Sequence, residues 1–240
     1  RVGVAMAMFF KPALLLADEP TSALDVTTQA QVVNEMMDIC QLDGTSIVMV
    51  THNLGVAAYM SDQIMVMQKA AMSSNTAVPK RLLNMRRRTI RRSFCAPYHR
   101  LEGRVMTASE RETILRIEHI TKRFPLEDGK VLTACNDVTF PVYRGEILGI
   151  VGESGCGKST LVRTLMQLHQ PSDGQIFFKD KEITSLRGED ARNMRRSIQM
   201  VFQDPTTSFN PKMKIKDIIC EPLRNFGLLQ GSARDKAAEL

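Results

Sequence analysis

Residues 152–160, GESGCGKST, have the types and spacing of a loop that binds phosphate groups, because they fit the pattern G-x-x-x-x-G-K-[ST]. Glycines at positions 152, 155 and 157 allow backbone N–H groups to turn inward around phosphate oxygens. The pattern predicts that Lys158 reaches the outer phosphates and that the Ser159 hydroxyl binds Mg²⁺. The residues predicted to contact the bound nucleotide here are Gly152, Ser154, Gly155, Cys156, Gly157, Lys158, Ser159 and Thr160.

An acidic pair stands much earlier in the chain, at the end of the apolar run in LLLADEP, residues 14–20. Asp18 can hold the Mg²⁺ shell, and Glu19 beside it can polarise an attacking water as a general base. Such a pair is commonly a solvated turn, but the continuation DEPTSALD favours a site. Together the two segments predict nucleotide hydrolysis, although the glycine-rich half normally comes first in such chains.

Short apolar runs bounded by turn residues predict the strands that would position both segments. The predicted strands cover residues 13–16, 46–50, 62–68, 114–120, 137–143, 146–152, 174–180 and 197–204. A helix is predicted at 159–168, directly after the glycine-rich loop. A second helix follows from apolar residues at helical spacing between 26 and 40, with Asp25 as its N-cap.

Composition is that of a soluble globular chain: 240 residues, of which 43% are hydrophobic, can bury a sizeable core. The longest apolar run, residues 2–10, is well short of the ~20 residues that span a bilayer. The five cysteines form no C-x-x-C pair, which fits a reducing compartment better than a disulfide or zinc framework. No secretory leader is evident, and because the chain opens on Arg1 we expect its start to be missing.

The net charge of +6 is concentrated in one stretch. Residues 70–100 contain eight Lys and Arg and neither Asp nor Glu, so the rest of the chain carries −2. A basic nucleic-acid-binding protein is therefore disfavoured, and we expect no nucleic-acid partner.

The motifs resemble those of the nucleotide-binding subunits of ATP-binding-cassette transporters, in the oligopeptide, dipeptide and nickel importer group. Residues 14–33 resemble that family's Walker B motif and D-loop, and residues 48–67 resemble its switch-histidine region. Residues 149–180 resemble its Walker A region, and residues 199–223 its Q-loop. The resemblance implies an α/β fold: a P-loop NTPase (RecA-like) core with a mostly parallel sheet, an antiparallel β subdomain and a partial helical subdomain.

The resemblance also implies roles for residues that carry no signal alone. His52 would contact the γ-phosphate, and Gln203 would sense Mg²⁺ and couple to the membrane partner. Residues 22–25 would form the D-loop, which brings Asp25 to the nucleotide, and Phe124 would stack on adenine. The implied cofactors are ATP and Mg²⁺.

The implied partners are two membrane permease subunits and a second ATP-binding cassette, with an extracellular or periplasmic solute-binding protein acting indirectly. The implied location is cytoplasmic and peripheral, on the inner face of the cell membrane.

One departure from the family explains the reversed order. The LSGGQ signature, which precedes the Walker B strand in the family, is absent, and the chain begins just downstream of its expected place. We therefore expect residues 1–69 to be the back half of one cassette and residues 113–240 the front half of the next. The fold would then be a permuted core in which the Walker A and Walker B strands lie side by side.

Residues 70–112 lack periodicity, and we expect a basic, disordered linker there that trypsin cuts first, near residues 80–92. If the DNA of this stretch is read in a frame that begins one base earlier, codons permitted for its residues can encode two segments typical of the family, GRNVE and AEEDYTKKLLRA. A one-base slip near residue 69, compensated around residues 97–101, would account for the arginine run. The alternative is a genuine basic linker, and the codons decide between them.

Two functions remain open on the sequence alone besides the disfavoured nucleic-acid binder. One is ATP hydrolysis coupled to import of peptides or nickel. The other is nucleotide binding without turnover, because the signature is absent. A measurement of phosphate release from ATP distinguishes hydrolysis from binding without turnover.

Overall fold

The computed structural model describes residues 2–22, 24–68, 83–86, 112–203, 210, 212–229 and 231–232. The helices are α1 (Val2–Met8), α2 (Val26–Asp43), α3 (Leu54–Met60), α4 (Lys158–Leu165), α5 (Gly188–Ser197), α6 (Ile215–Ile219) and α7 (Glu221–Asn225). The strands are β1 (Leu14–Asp18), β2 (Ser46–Thr51), β3 (Gln63–Met67), β4 (Leu83–Arg86), β5 (Thr113–Pro125), β6 (Val131–Tyr143), β7 (Ile147–Gly152), β8 (Asp173–Phe178), β9 (Lys181–Glu182) and β10 (Ile198–Val201). From α1 to β3 the chain alternates helices and strands, as the sequence predicts for this part.

The central sheet is built from both ends of the chain. Its strand order is β10-β1-β2-β7-β3-β4, and every neighbouring pair is parallel except the pair of β3 and β4. Strand β7 lies between β2 and β3, although about 80 residues separate it from β3 in the chain and about 95 from β2. The permuted α/β core predicted from the sequence is confirmed.

One detail of that prediction is wrong. The Walker A strand β7 and the Walker B strand β1 are not neighbours, because β2 lies between them. All three strands are fully or almost fully buried runs of apolar residues, so hydrophobicity suits each of them to any position in the middle of the sheet.

Alternate residues of the buried strands face two separate cores. One face of the sheet, with Val48 and Ile150 among its residues, packs on α4 and on the antiparallel strands β5, β6 and β8. The other face, with Ile47 and Met49, packs on α1 and α2. Burial on both sides explains why the strands read as continuous apolar runs rather than as alternating ones.

A second, antiparallel sheet has the order β6-β5-β8-β9 and covers the first core. Strands β5 and β6 each run for thirteen residues, with register irregularities between them. This sheet is the predicted antiparallel β subdomain. It brings Ala134 and Cys135 of β6 against the glycine-rich loop at Gly157.

The partial helical subdomain is present as α6 and α7 in residues 212–229. It contacts the first part of the chain through a T-shaped pair of rings, Phe10 and Phe226, whose centroids lie 5.2 Å apart. In the described part of the chain, no helix has the length and apolar character needed to cross a membrane.

The structure differs from the sequence prediction inside the basic stretch. Residues 83–86 form β4, which pairs antiparallel with β3 and so covers the backbone groups that β3 would otherwise leave open at the sheet edge. The remaining linker predictions, including the trypsin sites outside 83–86, fall on residues outside the described ranges.

Candidate functional site

The glycine-rich loop connects β7 to α4 at the carboxyl end of the parallel strands. Gly157, the N-cap of α4, has φ 97°, and a Cβ there would lie 2.0 Å from the carbonyl oxygen of Ala134 in β6. A Cβ on Gly152 would lie 2.1 Å from the carbonyl oxygen of Met67 in β3. Both positions therefore need glycine because the loop is pressed against two other strands.

Lys158 is buried and folds back over the loop. Its Nζ donates hydrogen bonds to the carbonyl oxygens of Gly152 and Glu153, at 2.7 and 2.8 Å. The same Nζ lies 3.8 Å from the Cys156 Sγ. The ammonium is thus held inside the curve of the loop, where phosphate oxygens would meet a positive charge.

Asp18 and Ser159 meet across 141 residues of sequence. The Ser159 hydroxyl donates to Asp18 Oδ1 at 2.8 Å, and the Asp18 side chain is fully buried. Because Ser159 follows Lys158 directly, the Cα atoms of Lys158 and Asp18 lie within about 15 Å of each other, as expected for one shared site.

The second oxygen of Asp18 has no hydrogen-bond partner within the described residues. Arg163 of α4 lies 4.0 Å from it. Burial raises the pKa of Asp18 above its ordinary value, although the Ser159 hydrogen bond and the Arg163 charge oppose this. A buried carboxylate that lacks full compensation is suited to bind a cation.

The donor set fits Mg²⁺. A serine hydroxyl and a carboxylate oxygen are hard oxygen ligands, which this ion prefers, and one oxygen of the carboxylate accepts no hydrogen bond from the part of the chain that the structure describes. Gln203, the third residue predicted to act at the metal, is bonded here to Glu19 instead.

Glu19 connects the other predicted catalytic residues. Its Oε1 lies 3.1 Å from His52 Nδ1, and its Oε2 accepts a hydrogen bond from Gln203 Nε2 at 3.2 Å. The Glu19 backbone has φ 48°, and its N–H donates to the Val50 carbonyl oxygen at 2.9 Å. This turn directs the carboxylate toward the ends of β2 and β10, so three residues from three strand ends form one cluster.

Two predicted residues lie outside that cluster. Asp25 caps α2: its carboxylate accepts hydrogen bonds from the Thr27 and Thr28 N–H groups, and from the Thr28 hydroxyl at 2.6 Å. These bonds, the Thr28 hydroxyl first, lower the pKa of Asp25. The capping role is confirmed, whereas the predicted nucleotide contact stays a prediction. Phe124 lies at the end of β5 and packs against His169.

Arg163 is the site residue that the sequence analysis missed. It stands four positions after Ser159, and residues at this spacing share one face of a helix. The helical pattern predicted after the loop could therefore have placed this cation beside Asp18, once Ser159 and Asp18 were assigned to the same site.

Comparison with known proteins agrees with this geometry. The ABC transporter family model matches residues 135–239, which contain the glycine-rich loop and Gln203. Over these residues the chain is similar to members of the ABC transporter family. The match covers the second part of the chain, and the carboxylates at positions 18 and 19 precede it.

Alignments to known relatives cover almost all of the chain or the whole of it. The glutathione import ATP-binding protein GsiA of Escherichia coli (strain K12) is 33% identical over 271 aligned residues, which cover 100% of this chain and 43% of GsiA. GsiA of Salmonella paratyphi A is 35% identical over 267 residues, covering 98% and 43%. This chain thus spans less than half the length of the relatives it matches.

Among solved structures, similar chains include the dimeric ATP-binding cassette MJ0796 bound to ADP and phosphate. It is 23% identical, with a TM-score of 0.46, and the match covers 52% of this chain and 55% of that one. A second structure of the same dimeric bacterial cassette gives 21% identity and a TM-score of 0.45.

Proposed function

We propose that the described site binds ATP with Mg²⁺, and that the chain is part of the ATP-hydrolysing component of an ABC importer for peptides or nickel. The observation that carries this proposal is the hydrogen bond of 2.8 Å between Ser159 and Asp18, beside the buried Lys158. It unites a phosphate-binding loop and a buried carboxylate that the sequence separates widely.

In this proposal each residue has a limited task. Lys158 and the loop N–H groups bind the outer phosphates, and Ser159 and Asp18 hold Mg²⁺, which screens the phosphate charge. Glu19, only 14% exposed at its side chain, orients a water and accepts its proton. His52, next to Glu19, contacts the γ-phosphate. Gln203 senses bound Mg²⁺ and couples the site to the membrane partner.

The assignment to an importer is supported by the relatives. GsiA is a glutathione import protein, and glutathione is itself a small peptide. A single alignment to GsiA covers this chain from end to end, so GsiA has corresponding segments in the same order. This supports residues 1–69 as the back half of one cassette and 113–240 as the front half of the next, working with two permeases, a second cassette and a solute-binding protein at the inner membrane face.

Hydrolysis by this chain alone is expected to be negligible. The family completes its catalytic site with an LSGGQ segment from a partner cassette, and this sequence has no such segment to offer in a homodimer. Nucleotide binding and nucleotide turnover are therefore separate properties of the chain, and each needs its own measurement.

The test is a calorimetric titration of the full chain with Mg-ATP, comparing the native protein with Lys158→Ala. We expect the substitution to weaken binding at least tenfold, because it removes a charge-assisted hydrogen bond of roughly 1.5–3 kcal/mol. The matched control is Lys181→Ala, which removes an exposed lysine whose partner, Asp190, is also exposed.

Equal affinity of the native protein and Lys158→Ala would overturn the assignment of the loop. Phosphate release measured on the same samples tests the second part of the proposal. Rapid unaided release would show that the chain needs no partner signature.

A further inference from the structure

Phe124 and His169 form an aromatic pair outside the cluster around Glu19. Their ring centroids lie 5.5 Å apart with an angle of 86° between the rings, the T-shaped arrangement that aromatic pairs favour. Phe124 belongs to β5, whereas His169 follows α4 by four residues. Both side chains are only partly exposed.

Hydrogen bonds hold the segment that carries His169 against the end of β5. Lys122 Nζ donates to the Gln170 carbonyl oxygen at 2.7 Å, and Ser172 N–H donates to the Thr121 carbonyl oxygen at 2.7 Å. The N–H of Arg123 donates to the Ser172 hydroxyl at 2.9 Å. Lys122 Nζ also lies 4.9 Å from the centroid of the Phe124 ring, so a cation and a second ring restrict that ring together.

The same pair is connected to the phosphate loop from two directions. The His169 N–H donates to the Arg163 carbonyl oxygen of α4, the helix that begins at Lys158. On the other side, Phe124 pairs with Leu132 of β6, and the loop rests on the same strand two residues further on, at Ala134. The position of the Phe124 ring is therefore coupled to the position of the loop.

The electrostatic surroundings keep the His169 ring neutral. Burial lowers its pKa from the ordinary value of 6.5, and the positive charges of Lys122 and Arg163 lower it further. A neutral imidazole contacts the Phe124 ring as an aromatic group, while Lys122 supplies the cation.

We infer that His169 is a positioning residue for the base of the nucleotide: Phe124 would stack on adenine, and the contact with His169 fixes the Phe124 ring. The inference rests on the proposed function and on the stacking role expected for Phe124 from the sequence. It assigns His169 to recognition of the base and not of the phosphates, which are bound by groups on α4 and its preceding loop.

The experiment compares two ligands on the full chain: Mg-ATP, which carries a base, and magnesium tripolyphosphate, which has the phosphates alone. We expect His169→Ala to weaken Mg-ATP binding roughly threefold to tenfold, the size of one aromatic pair contact. Tripolyphosphate binding should not change. We expect His169→Phe to restore the ATP affinity, because it keeps an aromatic ring at this position.

The matched control is Leu168→Ala, which removes an exposed side chain next to His169. Thermal melting without ligand establishes that each variant is folded. If His169→Ala leaves ATP affinity unchanged, or weakens both ligands equally, the positioning role is wrong while the ATP site stands. If the native chain binds neither ligand, the proposed function fails, and this inference fails with it.

Discussion

Asp18 is fully buried, and within the described residues one of its carboxylate oxygens accepts no hydrogen bond. Such a group lowers the stability of the protein without its ligand, since the charged form has lost water without gaining full compensation. The same property makes the carboxylate available to a cation. At the scale of one residue, the burial of Asp18 therefore favours cation binding and lowers the stability of the ligand-free protein.

We predict that Asp18→Asn stabilises the nucleotide-free protein at pH 7 by about 1 kcal/mol, because it removes a buried charge. The folded state raises the pKa of Asp18, so the native protein loses stability as pH rises through the window above 3.8, and the variant does not. The advantage of the variant should therefore shrink as the pH is lowered. Urea denaturation at several pH values measures it.

The control for this prediction is Asp190→Asn, which neutralises an exposed carboxylate and should change stability little. A lower free energy of unfolding for Asp18→Asn at pH 7 would show that Arg163 and Ser159 already compensate the buried charge. Mg-ATP affinity should fall in Asp18→Asn and not in the control.

At the scale of elements, the junction of β7 and α4 depends on how closely the loop approaches β6. Gly155 and Gly157 both have positive φ, at 75° and 97°. They differ in their surroundings: a Cβ on Gly155 meets nothing within 4 Å, whereas a Cβ on Gly157 meets the Ala134 carbonyl group.

We predict that Gly157→Ala impairs Mg-ATP binding much more than Gly155→Ala. Both substitutions carry the conformational cost of roughly 1–2 kcal/mol for an L-residue in the left-handed region. Only the first also forces the loop away from a backbone carbonyl, which would displace Lys158 and Ser159. Titration with Mg-ATP, together with thermal melting, separates the two effects, and equal losses in the two variants would contradict the prediction.

At the scale of the whole molecule, strands from the two ends of the chain share one sheet and two cores. Ile150 in β7 is fully buried and lies in the core with Val48 of β2 and Met65 of β3. Neither part of the chain can complete this packing alone, since β7 lies between β2 and β3.

We predict that Ile150→Ala lowers the free energy of unfolding by about 2–5 kcal/mol. It should also lower hydrogen-exchange protection in β2 and β3, which precede it in the chain, as strongly as in β7. Val131→Ala, at a mostly exposed position, is the matched control and should leave protection unchanged. Loss of protection confined to residues 113–240 would mean that the two parts of the chain fold independently.

The sequence by itself determined the residues and their local geometry. Glycines, Lys158 and Ser159 at fixed spacing predict a phosphate loop, because backbone conformation and helix direction depend on nearby residues. In the same way the apolar run before Asp18 predicts a strand, and Asp25 predicts the start of α2, where the structure has its N-cap. These features can be predicted without knowing which distant residues contact them in the folded protein.

The tertiary structure alone decided which elements meet. A strand that is buried on both faces is apolar throughout, so its sequence does not indicate which strand lies beside it. The insertion of β2 between β1 and β7 could therefore not be predicted from composition. Three contacts follow from that strand order and from the second sheet: that of Arg163 with Asp18, that of Glu19 with His52 and Gln203, and that of His169 with Phe124. Each joins residues from different elements, and only the assembled cores fix the distances between those elements.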